Sequence, residues 1–411
     1  MPGAADFCCS VPLLHVAQAL RIQCVGAARR TRGRAVIKRE EYMFNGKKRF
    51  GLATLACVSL AITFSAPAAA WKRGAVQTFA LIPSGEPMVE GLAVGPDGKV
   101  YSPTFNPTGS GPSQLFTFDP QGRLLKQVTI AGSSSAMLGL EVMPGTTNAL
   151  LVIDFGAGQV LSVDPNNGST AAPCVTLPAA NTPKSGLNGI TFDNQSPPNI
   201  YVSDSFEGII WRFSPSESGK ACGEASIWAG PDATLLPSNG VPPFGANGIE
   251  FNSKFDTMFV CNTAMDWIVK IPVATPTKPE VFTNSINGCD GLRLDSDDNI
   301  WVAANQADEI VVVSSTGDSA GKAIAKLGDF DGVNQGVTNG LLFPASPAFS
   351  PDGKWLYVTN LELDLRTVTA VPGPPDTTVD SDWTTQVTQH SIARLTAKIP
   401  PIQSSPIQSS P

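Results

Sequence analysis

Six variants of one strand-turn-strand pattern recur along the chain, and a chain built this way has few folds open to it. The clearest copy starts at Asp290 and reads DGLRLDSDDNIWVAAN. In it Leu292 and Leu294 alternate with Arg293 and Asp295, residues 296–299 are turn formers, and residues 300–303 are apolar and β-prone. Related copies begin at Glu90 (EGLAVGPDGKVYSP), Leu138 (LGLEVMPG), Asn188 (NGITFD), Asn247 (NGIEFN) and, more loosely, Ser346 (SPAFSPDG). Taking Gly91, Gly139, Gly189, Gly248, Gly291 and Ser346 as register marks, the steps range from 43 to 59 residues, so insertions fall in loops. A strand-only repeat of roughly 40 to 50 residues cannot bury its faces alone, and it is the signature of a β-propeller. The expectation is an all-β chain, a six-bladed β-propeller with four-stranded blades. Its ring closes through the termini, with residues 76–82 and 391–395 sharing the sixth blade.

The propeller is expected to occupy residues 71–398 as one domain, because no linker-like stretch separates the units. Ahead of it, Lys47, Lys48 and Arg49 precede an apolar run over 50–64 and then Pro67-Ala-Ala-Ala70, the layout of a secretory signal peptide with an Ala-x-Ala cleavage site. The run is short for a membrane span. A signal peptide opens a protein, so residues 43–70 are read as the leader, Met43 as the initiator and residues 1–42 as an extension from a mis-assigned start. Residues 399–411 repeat Pro-Ile-Gln-Ser-Ser and are expected to be a disordered tail. The expected location is secreted or periplasmic. Residues 1–70 hold 10 of the 28 basic but only 3 of the 35 acidic side chains, which leaves a strongly acidic body. That balance argues against nucleic acid or an anionic membrane as a partner and is compatible with cation binding, with ordinary solubility as the competing reading. A monomer is expected.

Four of the eight cysteines fall in the leader region, leaving Cys174, Cys222, Cys261 and Cys289. Four cysteines allow three pairings. The repeat register favours Cys174 with Cys222, late in neighbouring units, and Cys261 with Cys289, on one rim. Buried free thiols are the alternative. Two segments, residues 328–340 and 372–380, are rich in turn formers and read as surface loops that could shape a pocket mouth.

The slot just before each first strand carries Glu90, Leu138, Asn188, Asn247, Asp290 and Ala345, so four of six offer a side-chain oxygen. In a propeller the first strand is innermost, and equivalent slots form a ring about the axis. Two carboxylates and two amides meeting there suit a hard cation, Ca2+ above all. Asn-Gly and Asp-Gly are also ordinary turn dipeptides, and that reading competes for each copy taken singly.

These motifs resemble the SMP-30/gluconolactonase/LRE-like group, which is related to paraoxonases and other calcium-dependent six-bladed lactonases and phosphotriesterases. The resemblance spans roughly residues 90–360. It implies a divalent ion (Ca2+, or another such as Zn2+ or Mn2+) held by Glu90, Asn188, Asn247 and Asp290, with Asn188 also on the substrate side. It further implies gluconolactonase-like hydrolysis of a lactone or related ester, with Asp290 as general base or nucleophile. After the leader His390 is the only histidine, which argues against a histidine proton relay. The chain has no His-Glu-x-x-His, Cys-x-x-Cys, P-loop or dinucleotide fingerprint. A non-catalytic propeller that binds a ligand or protein and keeps the metal as a structural plug is the alternative function, because fold alone does not fix function.

Overall fold

The second strand of each repeat is apolar at almost every position, and a strand of that kind must be covered on both faces. The computed structural model describes residues 73–399 apart from 147–148, 171–172, 180–181, 183, 216–221, 239–241 and 368–378. The expected leader, residues 1–42 and the tail beyond 399 lie outside the described residues. Six antiparallel four-stranded sheets stand as blades around one axis. The second strands Leu150–Asp154, Ile200–Asp204 and Ile300–Ala304 are buried throughout, whereas the outermost strand of the first blade, Leu124–Thr129, is largely exposed. Apolarity therefore falls from the inside of a blade to its rim, as a fold that packs blade against blade requires.

Each core cluster bridges neighbouring blades, most of them two, and the largest reaches residues of the second, third and sixth. Tyr201 and Trp228 of the third blade meet Ile249, Phe251 and Met258 of the fourth, and Phe259 and Ile268 of the fourth meet Leu292 and Ile300 of the fifth. Trp301 packs against Leu356 and Leu395 of the sixth. At about 1.5 to 3 kcal/mol for each large side chain fully buried, these faces supply the driving force that no single repeat could supply alone. The ring closes through the termini as the sequence indicated. Gln77–Leu81 pairs antiparallel with Ser391–Thr396, completing the sheet that contains Pro344–Phe349 and Trp355–Asn360.

Both expected disulfides are present, Cys174 with Cys222 and Cys261 with Cys289, at Cα–Cα separations of 4.7 and 5.3 Å. They staple the second blade to the third and the fourth to the fifth. By the chain-entropy argument, loops of 48 and 28 residues each remove about 4 kcal/mol of freedom from the unfolded chain.

Two expectations need correction. Residues 328–340, read as a surface loop, contain a hairpin of Phe330–Asn334 with Val337–Gly340, in which Gln335 and Gly336 adopt positive φ at the turn. Its strands carry only Phe330, Val333, Val337 and Thr338 as β-formers, and the abundance of Gly, Asp and Asn obscured them. Outside the first blade, where Glu90 does precede Ala93–Val94, the polar slot also lies one residue inside the innermost strand, not ahead of it. Asp290, for example, is the second residue of Cys289–Leu294.

Candidate functional site

That one-residue offset comes from a β-bulge present in five of the six innermost strands. In the fifth blade Cys289 pairs with Ala304 and Leu292 with Val302, so Asp290 and Gly291 together oppose Ala303. Asn188-Gly189, Asn247-Gly248, Leu138-Gly139 and Ala345-Ser346 are displaced in the same way, and a similar shift follows Val89 in the first blade. A bulge leaves its extra residue unpaired and re-aims the side chain. Here the slot residue turns out of the ladder toward the axis. The following glycine lets neighbouring strands close up: a Cβ on Gly248 would lie 2.6 Å from the Asp290 carbonyl oxygen, and one on Gly291 2.5 Å from that of Ala345.

Hydroxyls at the end of the second strands fix the slots across blade boundaries. Ser205 Oγ donates to the Ala246 carbonyl (2.7 Å) and Thr263 Oγ1 to the Cys289 carbonyl (2.7 Å), each the residue before a slot in the next blade. One level down, Ser203 Oγ accepts from Gly189 N (2.8 Å) and donates to the Asn247 carbonyl (2.5 Å), while Thr359 Oγ1 donates to the Glu90 carbonyl (2.6 Å). The ring of slots is thus tied blade to blade by polar contacts in a water-poor interior.

Glu90, Asn188, Asn247 and Asp290 come together as the polar floor of one cavity of about 210 Å3. All four are buried, with relative exposures between 4% and 6%. Leu138 also lines the cavity, leaving its side of the floor apolar. Asp290 Oδ2 accepts from Asn305 Nδ2 (3.2 Å), and Asn247 Nδ2 donates to Thr263 Oγ1 (2.9 Å), which turns the Asn247 carbonyl oxygen the other way. The approach to Asp290 is held as well. Gly288 N donates to Asp266 Oδ1 (2.8 Å), and Asn305 N donates to the Gly288 carbonyl (2.9 Å).

Burial raises the pKa of Asp290, against the hydrogen bonds from Asn305 and Asn247 that pull it down. Glu90 is raised well above the usual carboxylate range, first by burial and then by the charge of Asp290. Neither acid has an ion-pair partner among the described residues, and Glu90 Oε2 is buried without a hydrogen bond. An unpaired buried acid with an orphaned oxygen is costly unless it is protonated or meets a cation. The donors are oxygen only, which fits a hard ion such as calcium. Among the described residues no three His, Cys, Asp or Glu side chains gather as a metal cluster, so a cation here would depend on the two amides as much as on the two acids.

The sequence reading did not find Asn305 or Thr263. Both were visible in principle as the polar residue ending the second strand in WVAAN and FVCNT. It also missed the cavity wall, where Phe155 and Leu361 hold the same place after the second strand as Thr263 and Asn305, and Phe206, Phe244, Phe343 and Leu363 lie on connecting segments. The 328–340 segment, expected to shape the mouth, contributes no lining residue. Most of 372–380 lies outside the described residues.

Residues 244–327, which hold the fourth and fifth blades with Asn247 and Asp290, match the model of the SMP-30/gluconolactonase/LRE-like region. No curated protein matches in sequence. Among solved structures, a luciferin-regenerating enzyme superposes with a TM-score of 0.53 at 13% identity, over 79% of this chain and 95% of that one, a likeness of fold. A calcium-binding protein, regucalcin, from Agrobacterium tumefaciens str. C58 gives a TM-score of 0.49 at 17% identity, over 77% of this chain and 93% of that one. Residues 244–327 are thus similar to the SMP-30/gluconolactonase/LRE-like region, and they form the fourth and fifth blades of a six-bladed propeller.

Proposed function

We propose that the chain is an exported hydrolase that opens a lactone or related ester with a divalent cation, calcium first among candidates, held by Glu90, Asn188, Asn247 and Asp290. One observation carries the reading: oxygen-bearing side chains from four blades share the floor of a single cavity, and two of them are buried acids with no ion-pair partner among the described residues. The cation would supply polarisation of the ester carbonyl. The chain's own residues do the rest. Asp290, steadied by Asn305 and Asn247, takes the proton from the attacking water or itself attacks the carbonyl carbon. Asn188 orients the substrate, Thr263 fixes Asn247, and the apolar wall keeps bulk water away. The protein would act as a monomer on a small molecule, with no nucleic acid or membrane partner.

Adding calcium to chelator-treated protein is expected to raise its melting temperature in a concentration-dependent way, since a ligand that binds only the folded state stabilises it by mass action. The rise should be smaller in mildly acid buffer than at neutral pH. Both acids hold their protons more tightly than usual, and the ion must displace them. The absence of any thermal shift with calcium, zinc or manganese would count against the cation site.

Export is part of the same proposal. The two disulfides suit an oxidising compartment, and among the described residues no helix is long and apolar enough to cross a membrane. Protein recovered from a bacterial periplasm or medium is expected to begin at Trp71. N-terminal sequencing that found residues 1–42 still attached would contradict both the cleavage and the Met43 start.

A further inference from the structure

We propose that the substrate presents an apolar ring or acyl chain to this cavity, not the hydroxyl-rich ring of a sugar lactone. The inference rests on the hydrolase reading above and narrows it to a substrate class. Apart from Lys184 and Thr108, the polar side chains lining the cavity among the described residues belong to the floor, and several are already engaged: Thr263 donates to a backbone carbonyl, and Asn305 to Asp290. Above them the wall is aromatic. Phe206 and Phe244 stack with centroids 5.7 Å apart and planes 20° from parallel, and Phe155 meets Phe206 edge-on at 5.9 Å. Phe206 and Phe244 are only partly buried, so each keeps ring surface open to a ligand. Lys184, the only basic side chain lining the cavity among the described residues, sits 4.4 Å over the Phe155 ring, so the wall already engages its ammonium.

A sugar lactone entering this space would bury several hydroxyls against rings that can neither donate to nor accept from them. Each hydroxyl left unpaired costs roughly 10- to 100-fold in affinity. An alkyl or aryl group gains from the same contact. At about 210 Å3 the cavity has room for roughly seven waters, enough for a lactone ring with a short chain.

The test pairs hydrolysis with binding, so that the substrate class and the chemistry can fail separately. With calcium present, kcat/KM for an alkyl-substituted γ-lactone should exceed that for glucono-δ-lactone by at least about 100-fold. In parallel, the matching lactams, which resist hydrolysis, are titrated against melting temperature. The alkyl lactam should stabilise the protein and the sugar lactam should not. Phe206→Asn should abolish that shift and Phe206→Leu preserve it, with circular dichroism confirming that both variants are folded. If neither lactone is hydrolysed but the alkyl lactam stabilises in this pattern, the substrate class stands and the hydrolase reading falls. Equal or better handling of the sugar lactone or its lactam, or no stabilisation by the alkyl lactam, overturns the inference.

Discussion

Asp290→Asn is expected to lower hydrolysis by at least about 100-fold at saturating calcium, the usual scale of a general acid–base contribution. The substitution keeps the shape of the side chain and one oxygen, and it removes a negative charge and a proton acceptor. If Asp290 only held a cation, the loss would appear as weaker calcium binding, and excess calcium would restore the rate. If it takes a proton or attacks the carbonyl, saturation cannot restore it. The environment already separates Asp290 from the other floor residues, because Asn305 and Asn247 both hydrogen-bond its carboxylate while Glu90 Oε2 has no such partner. Glu90→Gln should therefore show mainly reduced calcium affinity. Asn188→Ala should raise KM more than it lowers kcat, as loss of substrate positioning would. Full activity of Asp290→Asn at saturating calcium would remove Asp290 from the chemistry and leave the ring of slots as a metal site alone.

The parts of the molecule that obey the repeat could be read from the sequence, and the parts that break it could not. Strand alternation of the kind around Leu292 and Leu294, with Gly after the slot, located five innermost strands, and the looser copy at Ser346 the sixth. The four polar slots were placed around one axis by register alone. The bulge was hidden because it moves one residue without changing composition, and only the pairing of Cys289 with Ala304 against Leu292 with Val302 reveals it. Both disulfides followed from register, since Cys261 and Cys289 stand at equivalent heights on adjacent blades. Phe206 and Phe244 gave no signal. Each sits in a connection whose length varies between units, where a single aromatic has no partner in the other repeats. The same is true of Glu362, which adopts positive φ and is hydrogen-bonded by Thr338 of the added hairpin and contacted by His390 beside the closing strand. That contact joins an insertion to the terminal strand, and no local pattern encodes it.

Below the site, Arg293→Met is expected to destabilise the protein by about 3 kcal/mol or more, because it strips the only base from a buried charge cluster. Arg293, Glu141, Glu250 and Thr191 each lie three residues after a slot, so their side chains occupy one level of the channel. The Arg293 guanidinium pairs with Glu141 and, at 3.4 Å, with Glu250, whose Oε1 also accepts from Thr191 (2.8 Å). All three charged side chains are about a fifth exposed, so channel water screens part of the penalty and the effect should sit toward the low end of the range for buried pairs. Burial lifts Glu141 to about 7; Arg293 opposes that rise and Glu250 adds to it. An acid with a pKa near 4.3 in the unfolded chain and near 7 in the folded one weakens the fold as pH rises through that window, since the folded state binds the extra proton. Without Arg293 both carboxylates stand uncompensated and the slope should steepen. Urea unfolding is therefore expected to show a larger loss at about pH 8 than at about pH 5. Adding Glu141→Gln and Glu250→Gln should recover much of the lost stability, because the charges that needed the base are gone. Equal stability of Arg293→Met and the parent protein at both pH values would mean that water in the channel, and not the guanidinium, neutralises these acids.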